Sequence, residues 1–226
     1  METSSDVAGP GSVQAPPAGA VDLLGVLAYG ELSAFERLAE DARTAPTLRG
    51  RAQLASMAAA EMAHFELIEA HLERLGVSVH DAMTPFTGPL DVYHASTAPS
   101  TWLESLVKAY VGDGLAADFY TEIAGLLDVG VADTVRAVMA ETGHSAFVER
   151  EVAAALGAEP ALRGRLTLWA RRLLGEAVIQ AQHVLAQRDD LAALVINGPM
   201  DLAGLAALFR RLQNQHTRRM KTLGLG

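Results

Sequence analysis

Two Glu-x-x-His segments, Glu61-Met-Ala-His64 and Glu141-Thr-Gly-His144, restrict the fold of this chain more than any other feature. Positions three apart share one face of an α-helix, so each pair sets a carboxylate beside an imidazole. Both pairs lie on apolar stripes. Glu61 and His64 share theirs with Leu54, Met57, Ala58, Phe65 and Ile68, and Glu141 and His144 share theirs with Ala137, Val138, Val148 and Val152. Such a stripe is the inward face of a helix. An unpaired carboxylate there is costly, so each needs a partner, and a cation is a natural one.

Two more inward carboxylates complete the pattern. Glu31 falls within the stripe Leu24, Leu27, Ala28, Ala34, Phe35 and Leu38, and Asp113 within Leu106, Ala109, Tyr110, Ala116, Ala117 and Tyr120. The chain reads as a duplication. Gly30-Glu31 aligns with Gly112-Asp113, Glu36 with Asp118, and Glu61-x-x-His64 with Glu141-x-x-His144. Glu31 precedes Glu61 by 30 positions and Asp113 precedes Glu141 by 28. In antiparallel hairpins these spacings bring the carboxylates of each half to similar depth.

The candidate metal ligands are therefore Glu31, Glu61, His64, Asp113, Glu141 and His144. Their oxygen and nitrogen donors suit iron or manganese better than copper or zinc. Asp118 is the rival of Asp113 on the third helix, but its stripe (Val111, Leu115, Thr121, Glu122) is less apolar. Asp118 and Glu36 are also candidates to accept the second ring N–H of the histidines. His71 follows His64 by seven positions and reads as a hydrogen-bonded core histidine rather than a ligand. Tyr110 and Tyr120 flank Asp113 as candidate cavity walls. Glu176 and His183 form a weaker pair on a later helix.

The rest of the chain is patterned to match. Residues 1–20 are rich in Gly, Pro, Ala and Ser and read as a disordered tail. Helices are expected over about 22–42, 47–75, 101–127, 132–156, 161–193 and 201–223. Gly76 and Gly157 are the expected stops, and residues 77–100, with three prolines, a long crossover. No strand-like alternation occurs. Two helical hairpins joined by one long crossover make an all-α, ferritin-like four-helix bundle, here with two additional C-terminal helices, as one domain over 21–223.

Composition removes other chemistries. The chain has 226 residues and no cysteine, so it holds no disulfide, thiolate site or cysteine nucleophile. No apolar run approaches the ~20 residues of a membrane span, and no signal peptide is visible, so a soluble cytoplasmic protein without membrane contact is expected. The net charge of −9 disfavours general nucleic-acid binding. It is unevenly spread: Arg210, Arg211, Arg218, Arg219 and Lys221 carry +5 on the last helix and leave −14 on the rest. That helix is a candidate RNA contact, although no aromatic residues interleave with its basic ones.

The segments Ala28-Tyr29-Gly30-Glu31, Glu61-Met-Ala-His64, Val111-Gly112-Asp113-Gly114-Leu115-Ala116-Ala117-Asp118-Phe119-Tyr120 and Glu141-Thr-Gly-His144 resemble the actinobacterial ferritin-like proteins grouped with the MiaE-type tRNA hydroxylases. The resemblance covers residues 20–220. It implies a non-haem di-iron monooxygenase with two iron ions, or manganese in their place. O₂ and an electron donor would be its partners. The implied reaction hydroxylates the isopentenyl group of a modified adenosine in tRNA. It also implies Glu31, Glu61, His64, Asp113, Glu141 and His144 as iron ligands. The third helix carries Asp where the ferritin-like pattern has Glu. The alternative is a ferritin-like ferroxidase, peroxidase or iron-handling protein without a tRNA substrate. Whether the chain acts alone or as a homodimer is left open.

Overall fold

The computed structural model describes residues 18–140, 144–196 and 202–226, and all regular structure among them is helical. The first hairpin is α1 (Ala18–Ala42) and α2 (Leu48–Arg74), which share the most extensive helix contact in the molecule. Thr47 caps α2, its hydroxyl accepting from Gly50 N–H at 3.0 Å. Gly76, at φ 71°, ends it. The Gly76 and Val77 N–H groups close back on Glu73 and Leu72 carbonyls at 2.9 Å, a turn that needs a left-handed residue.

The expected crossover is itself largely helical. It holds α3 (Val79–Met83), a 3-10 turn (Thr84–Phe86) and α4 (Thr87–Ser96). The second hairpin opens with α5 (Trp102–Ile123), capped by Thr101. Its return is split into α6 (Val129–Val138), capped by Asp128, and α7 (His144–Ala158). The single helix expected over 132–156 is thus corrected: Met139 and Ala140 have left the helix. α7 also runs through Gly157, the expected stop.

The last part of the chain needs further corrections. α8 (Leu162–Gln187) and α9 (Asp189–Ile196) replace one expected helix. The break is at Arg188, whose guanidinium pairs with buried Asp22 of α1, Nε to Oδ2 being 3.0 Å. α10 (Leu202–Thr222) packs on α5 and α8. The first helix begins at Ala18, inside the expected tail, and residues 1–17 of that tail lie outside the described residues. The Asn197-Gly198-Pro199 breaker lies outside them too.

The core is divided in two, and the division places the site. One apolar cluster takes Leu24 and Ala28 of α1, Ile68 and Leu72 of α2, Tyr120 of α5 and Val138 of α6. The other takes Leu38 of α1, Met57 and Ala58 of α2, Tyr110 of α5 and Val148 of α7. Along α1, α2 and α5 the polar residues Glu31, Glu61, His64 and Asp113 fall in the interval between the clusters. His144 falls in the same interval between α6 and α7. Buried Glu31, Glu61 and His144 thus interrupt the core at this level.

Candidate metal centre

Glu31, Glu61 and His64 each bring a ligand atom within 4.8 Å of the others. Both carboxylates are buried, at 8% and 7% exposure, and His64 is half-buried. His64 Nδ1 lies 3.3 Å from Glu31 Oε2 and 3.6 Å from Glu61 Oε2. Helical spacing sets the Glu61–His64 pair, and the packing of α1 on α2 brings in Glu31.

The electrostatics of the trio suit a cation. Burial raises the Glu61 pKa to about 7, and the neighbouring Glu31 carboxylate adds to the rise. Hydrogen bonds to Glu31 and Glu61 raise that of His64 to about 10. Two carboxylates and an imidazole in one dry place hold protons to coexist. A divalent ion serves the same purpose by displacing them, and the donors are of the type iron and manganese accept.

The trio opens onto a cavity of about 650 Å³. Asp113 and His144 line this cavity but stand outside the trio's cluster. Asp113 is exposed on α5, and His144, 7% exposed, begins α7. Glu141 lies outside the described residues. Asp118 points elsewhere: its Oδ1 accepts from Arg219 Nη2 at 2.8 Å, and it does not line the cavity.

The remaining expected residues divide sharply. Glu36 is exposed and absent from the cavity wall, which corrects its expected place beside a histidine: on α1 it falls outside the inward stripe. His71 is buried with Nδ1 2.6 Å from Thr134 Oγ1, and burial lowers its pKa. Tyr110 lines the cavity and donates to Glu149 at 2.9 Å. Tyr120 also lines it; its buried hydroxyl has no partner among the described residues, and burial, with the Glu31 charge, raises its pKa. His183 is exposed beside Gln187, at 3.1 Å.

The basic residues of α10 are partly spent within the fold. Arg211 pairs with Glu122 at 2.7 Å and Arg219 with Asp118, while Arg210, Arg218 and Lys221 are exposed. Among the described residues no helix is long and apolar enough to cross a membrane.

Sequence reasoning missed a second polar group on the cavity wall: Arg37, Asp41, His94 and Lys108. A signal was present in Lys108, a lone charge within the apolar run Leu106–Val111.

Comparison with known proteins places this geometry in a family. No curated protein matches the chain. Among solved structures it is similar to protein 19 with aldehyde deformylating oxidase activity from Synechococcus, with a TM-score of 0.70, 20% identity and 94% of each chain covered. That likeness shows a shared fold. Residues 17–198 match the model of the ferritin-like domain of actinomycetes, and the helical bundle with its Glu31–Glu61–His64 group belongs to that ferritin-like family.

Proposed function

We propose that the protein is a non-haem dimetal oxidase that uses O₂ to oxidise an aliphatic group. The observation that carries this reading is the Glu31–Glu61–His64 trio on the wall of a 650 Å³ cavity. Leu27, Ala34, Leu174, Val178 and Leu212 are among the cavity's other walls. An iron-handling protein needs a route for hydrated cations. Apolar walls serve an organic substrate instead. The aldehyde deformylating oxidase activity of the structural neighbour supports the same class.

Glu31, Glu61 and His64 would hold one side of the metal pair, with Asp113, Glu141 and His144 on the other. The metals, iron or manganese, would supply O₂ activation. For a hydroxylation the balance is O₂, one C–H bond, two electrons and two protons giving C–OH and water, with the electrons from a separate donor. The chain's own part is to bind the aliphatic group, keep it dry and hold the reacting carbon beside the trio.

A finer reading makes that group the isopentenyl chain of a tRNA adenosine, as the sequence resemblance implies. The apolar wall accepts such a chain. Against it, Arg211 and Arg219 already have acidic partners. Metal analysis of the purified wild type and Glu61→Ala tests the dimetal reading: about two metals per chain are expected, with a clear loss in the variant. No metal in the wild type would sink it. Nucleoside mass spectrometry of tRNA from a deletion strain tests the finer one, and unchanged hydroxylated isopentenyladenosine would reject the tRNA substrate alone.

A further inference from the structure

The cavity is long and changes character at one end. Its wall follows α1 from Val26 to Asp41, about 22 Å of helix. Towards the α1 N-terminus it meets Leu191, Leu208 and Leu212. Glu31 lies partway along. Towards the α1 C-terminus the wall becomes polar, with Arg37, Asp41, Tyr93, His94, Ser105 and Lys108.

Lys108 is the centre of this polar end. It is only 9% exposed. Its ammonium donates to the Thr97 carbonyl at 2.9 Å and lies 5.4 Å from the centre of the Tyr93 ring. The carbonyl and the ring are neutral, and an ammonium has three protons to give. Burial lowers the Lys108 pKa to about 8, so it remains mostly charged at neutral pH. Asp41 is the acidic group acting on it, and burial raises the Asp41 pKa.

Two neighbours add hydrogen-bond donors at the same end. Arg37 stands at the exposed edge of the wall, where its Nη1 lies 3.5 Å from Glu40 Oε2 in a solvent-exposed pair. His94 Nδ1 is buried with no partner among the described residues. Burial, Lys108 and Arg37 lower the His94 pKa to about 4, so its ring is neutral and can still give one N–H. A buried ammonium, a guanidinium at the rim and an orphaned imidazole nitrogen face one space. An under-compensated buried cation is costly, and an entering anion relieves that cost.

We propose that this end of the cavity is an anion subsite and that the natural ligand is an aliphatic carboxylate. Its carboxylate sits on Lys108, His94 and Arg37, its chain passes the trio, and its tail lies between Leu208 and Leu212. A carboxylate adds one negative charge beside the buried ammonium, whereas a phosphate dianion adds two where Asp41, and Glu40 at the rim, already stand. Arg37 and Asp41 lie six and ten residues beyond Glu31 on one helix, so the head group is about 9–15 Å from the trio. The assignment deepens the oxidase reading, and rests on it only in placing the oxidised carbon at the trio.

Isothermal titration of the full-length protein with dodecanoate and with dodecan-1-ol tests the subsite directly. The acid should bind at least ten-fold tighter than the alcohol. Lys108→Met, which keeps the stem and removes the charge, should erase that difference and leave alcohol binding intact. Arg37→Gln, at an exposed position, should weaken the acid several-fold and not the alcohol. Equal affinity for acid and alcohol overturns the proposal. So does acid binding that survives Lys108→Met and Arg37→Gln but disappears on chelator treatment, since the head group then sits on the metal. Metal content is measured on the same samples. Charge-dependent binding without metal would leave the subsite standing and remove the oxidase reading.

Discussion

His64 Nδ1 of α2 lies 3.3 Å from Glu31 Oε2 of α1, a contact across 33 positions of sequence. The first hairpin alone therefore brings together the candidate Glu31–Glu61–His64 metal group. Glu31→Gln and His64→Gln should each lower bound metal by at least half, as read by elemental analysis. A ligand that binds only the folded state raises its stability. Added Fe(II) should thus raise the wild-type Tm by several degrees under anaerobic conditions, and Glu31→Gln should show little rise. An equal rise in both proteins would remove Glu31 from the centre.

Asp113 and Asp118 separate into two roles that one measurement each can distinguish. Asp113 faces the cavity, so Asp113→Asn should lower metal content with little change in Tm of the metal-free protein. Asp118 holds Arg219, and its second oxygen and Arg219 Nη1 are buried without partners among the described residues. Removing a hydrogen bond between charged groups there should cost roughly 2–3 kcal/mol. Asp118→Asn should therefore lower the denaturant midpoint and leave metal content near that of the wild type. The reverse pattern would make Asp118 the ligand.

The site was legible in sequence to the extent that helical spacing and packing period decide it. Glu61 and His64 are three apart on an apolar stripe, and Glu31 repeats the depth of Glu61 from a stripe of its own. The helical crossover was not legible, because Thr84-Pro85 and Gly88-Pro89 look like breakers. Both prolines instead sit in first turns, where a missing N–H costs nothing. The stop after Val138 was hidden for a different reason. Met139 and Ala140 are neither Gly nor Pro, and the apolar stripe continues through them. Lys108 became meaningful only when α1 and α4 enclosed it beside Arg37 and His94, a conjunction that no local pattern encodes.

Two glycines of α1 should respond oppositely to the same substitution. A Cβ on Gly25 would stand 2.1 Å from the Ala82 carbonyl oxygen of α3, and 3.1 Å from the Phe86 ring. The obstacle is backbone, so helix and crossover must separate. Gly25→Ala should cost at least about 3 kcal/mol, at or beyond the upper end of ordinary overpacking. A Cβ on Gly30 meets nothing within 4 Å. Gly30→Ala should gain up to about 1 kcal/mol from helix propensity alone. Urea midpoints of the two variants check both signs, and an unaffected Gly25→Ala would show that α3 does not pack against α1.

Acid sensitivity should trace to His216 of α10. Its ring is 3% exposed, and neither nitrogen has a partner among the described residues. Burial and the Arg219 charge lower its pKa to about 4, with Asp118 opposing. Arg171 of α8 lines the small 100 Å³ cavity beside it and adds another positive charge. An unfolded histidine titrates near 6.5, so between about pH 6.5 and 4 the unfolded chain binds the extra proton. This contribution is complete above pH 6.5 and is lost as pH falls towards 4. Glu61, whose carboxyl is raised to about 7 in the fold, pulls in the opposite direction in metal-free protein, so the useful quantity is a difference between variants. His216→Phe should match or exceed the wild-type urea midpoint at pH 7 and lose less of it on going to pH 4.5. His94, also lowered to about 4, leaves part of the slope in that variant, and adding His94→Phe should flatten it further. Parallel midpoint curves for wild type and His216→Phe across that range would mean that His216 is not held neutral by the fold.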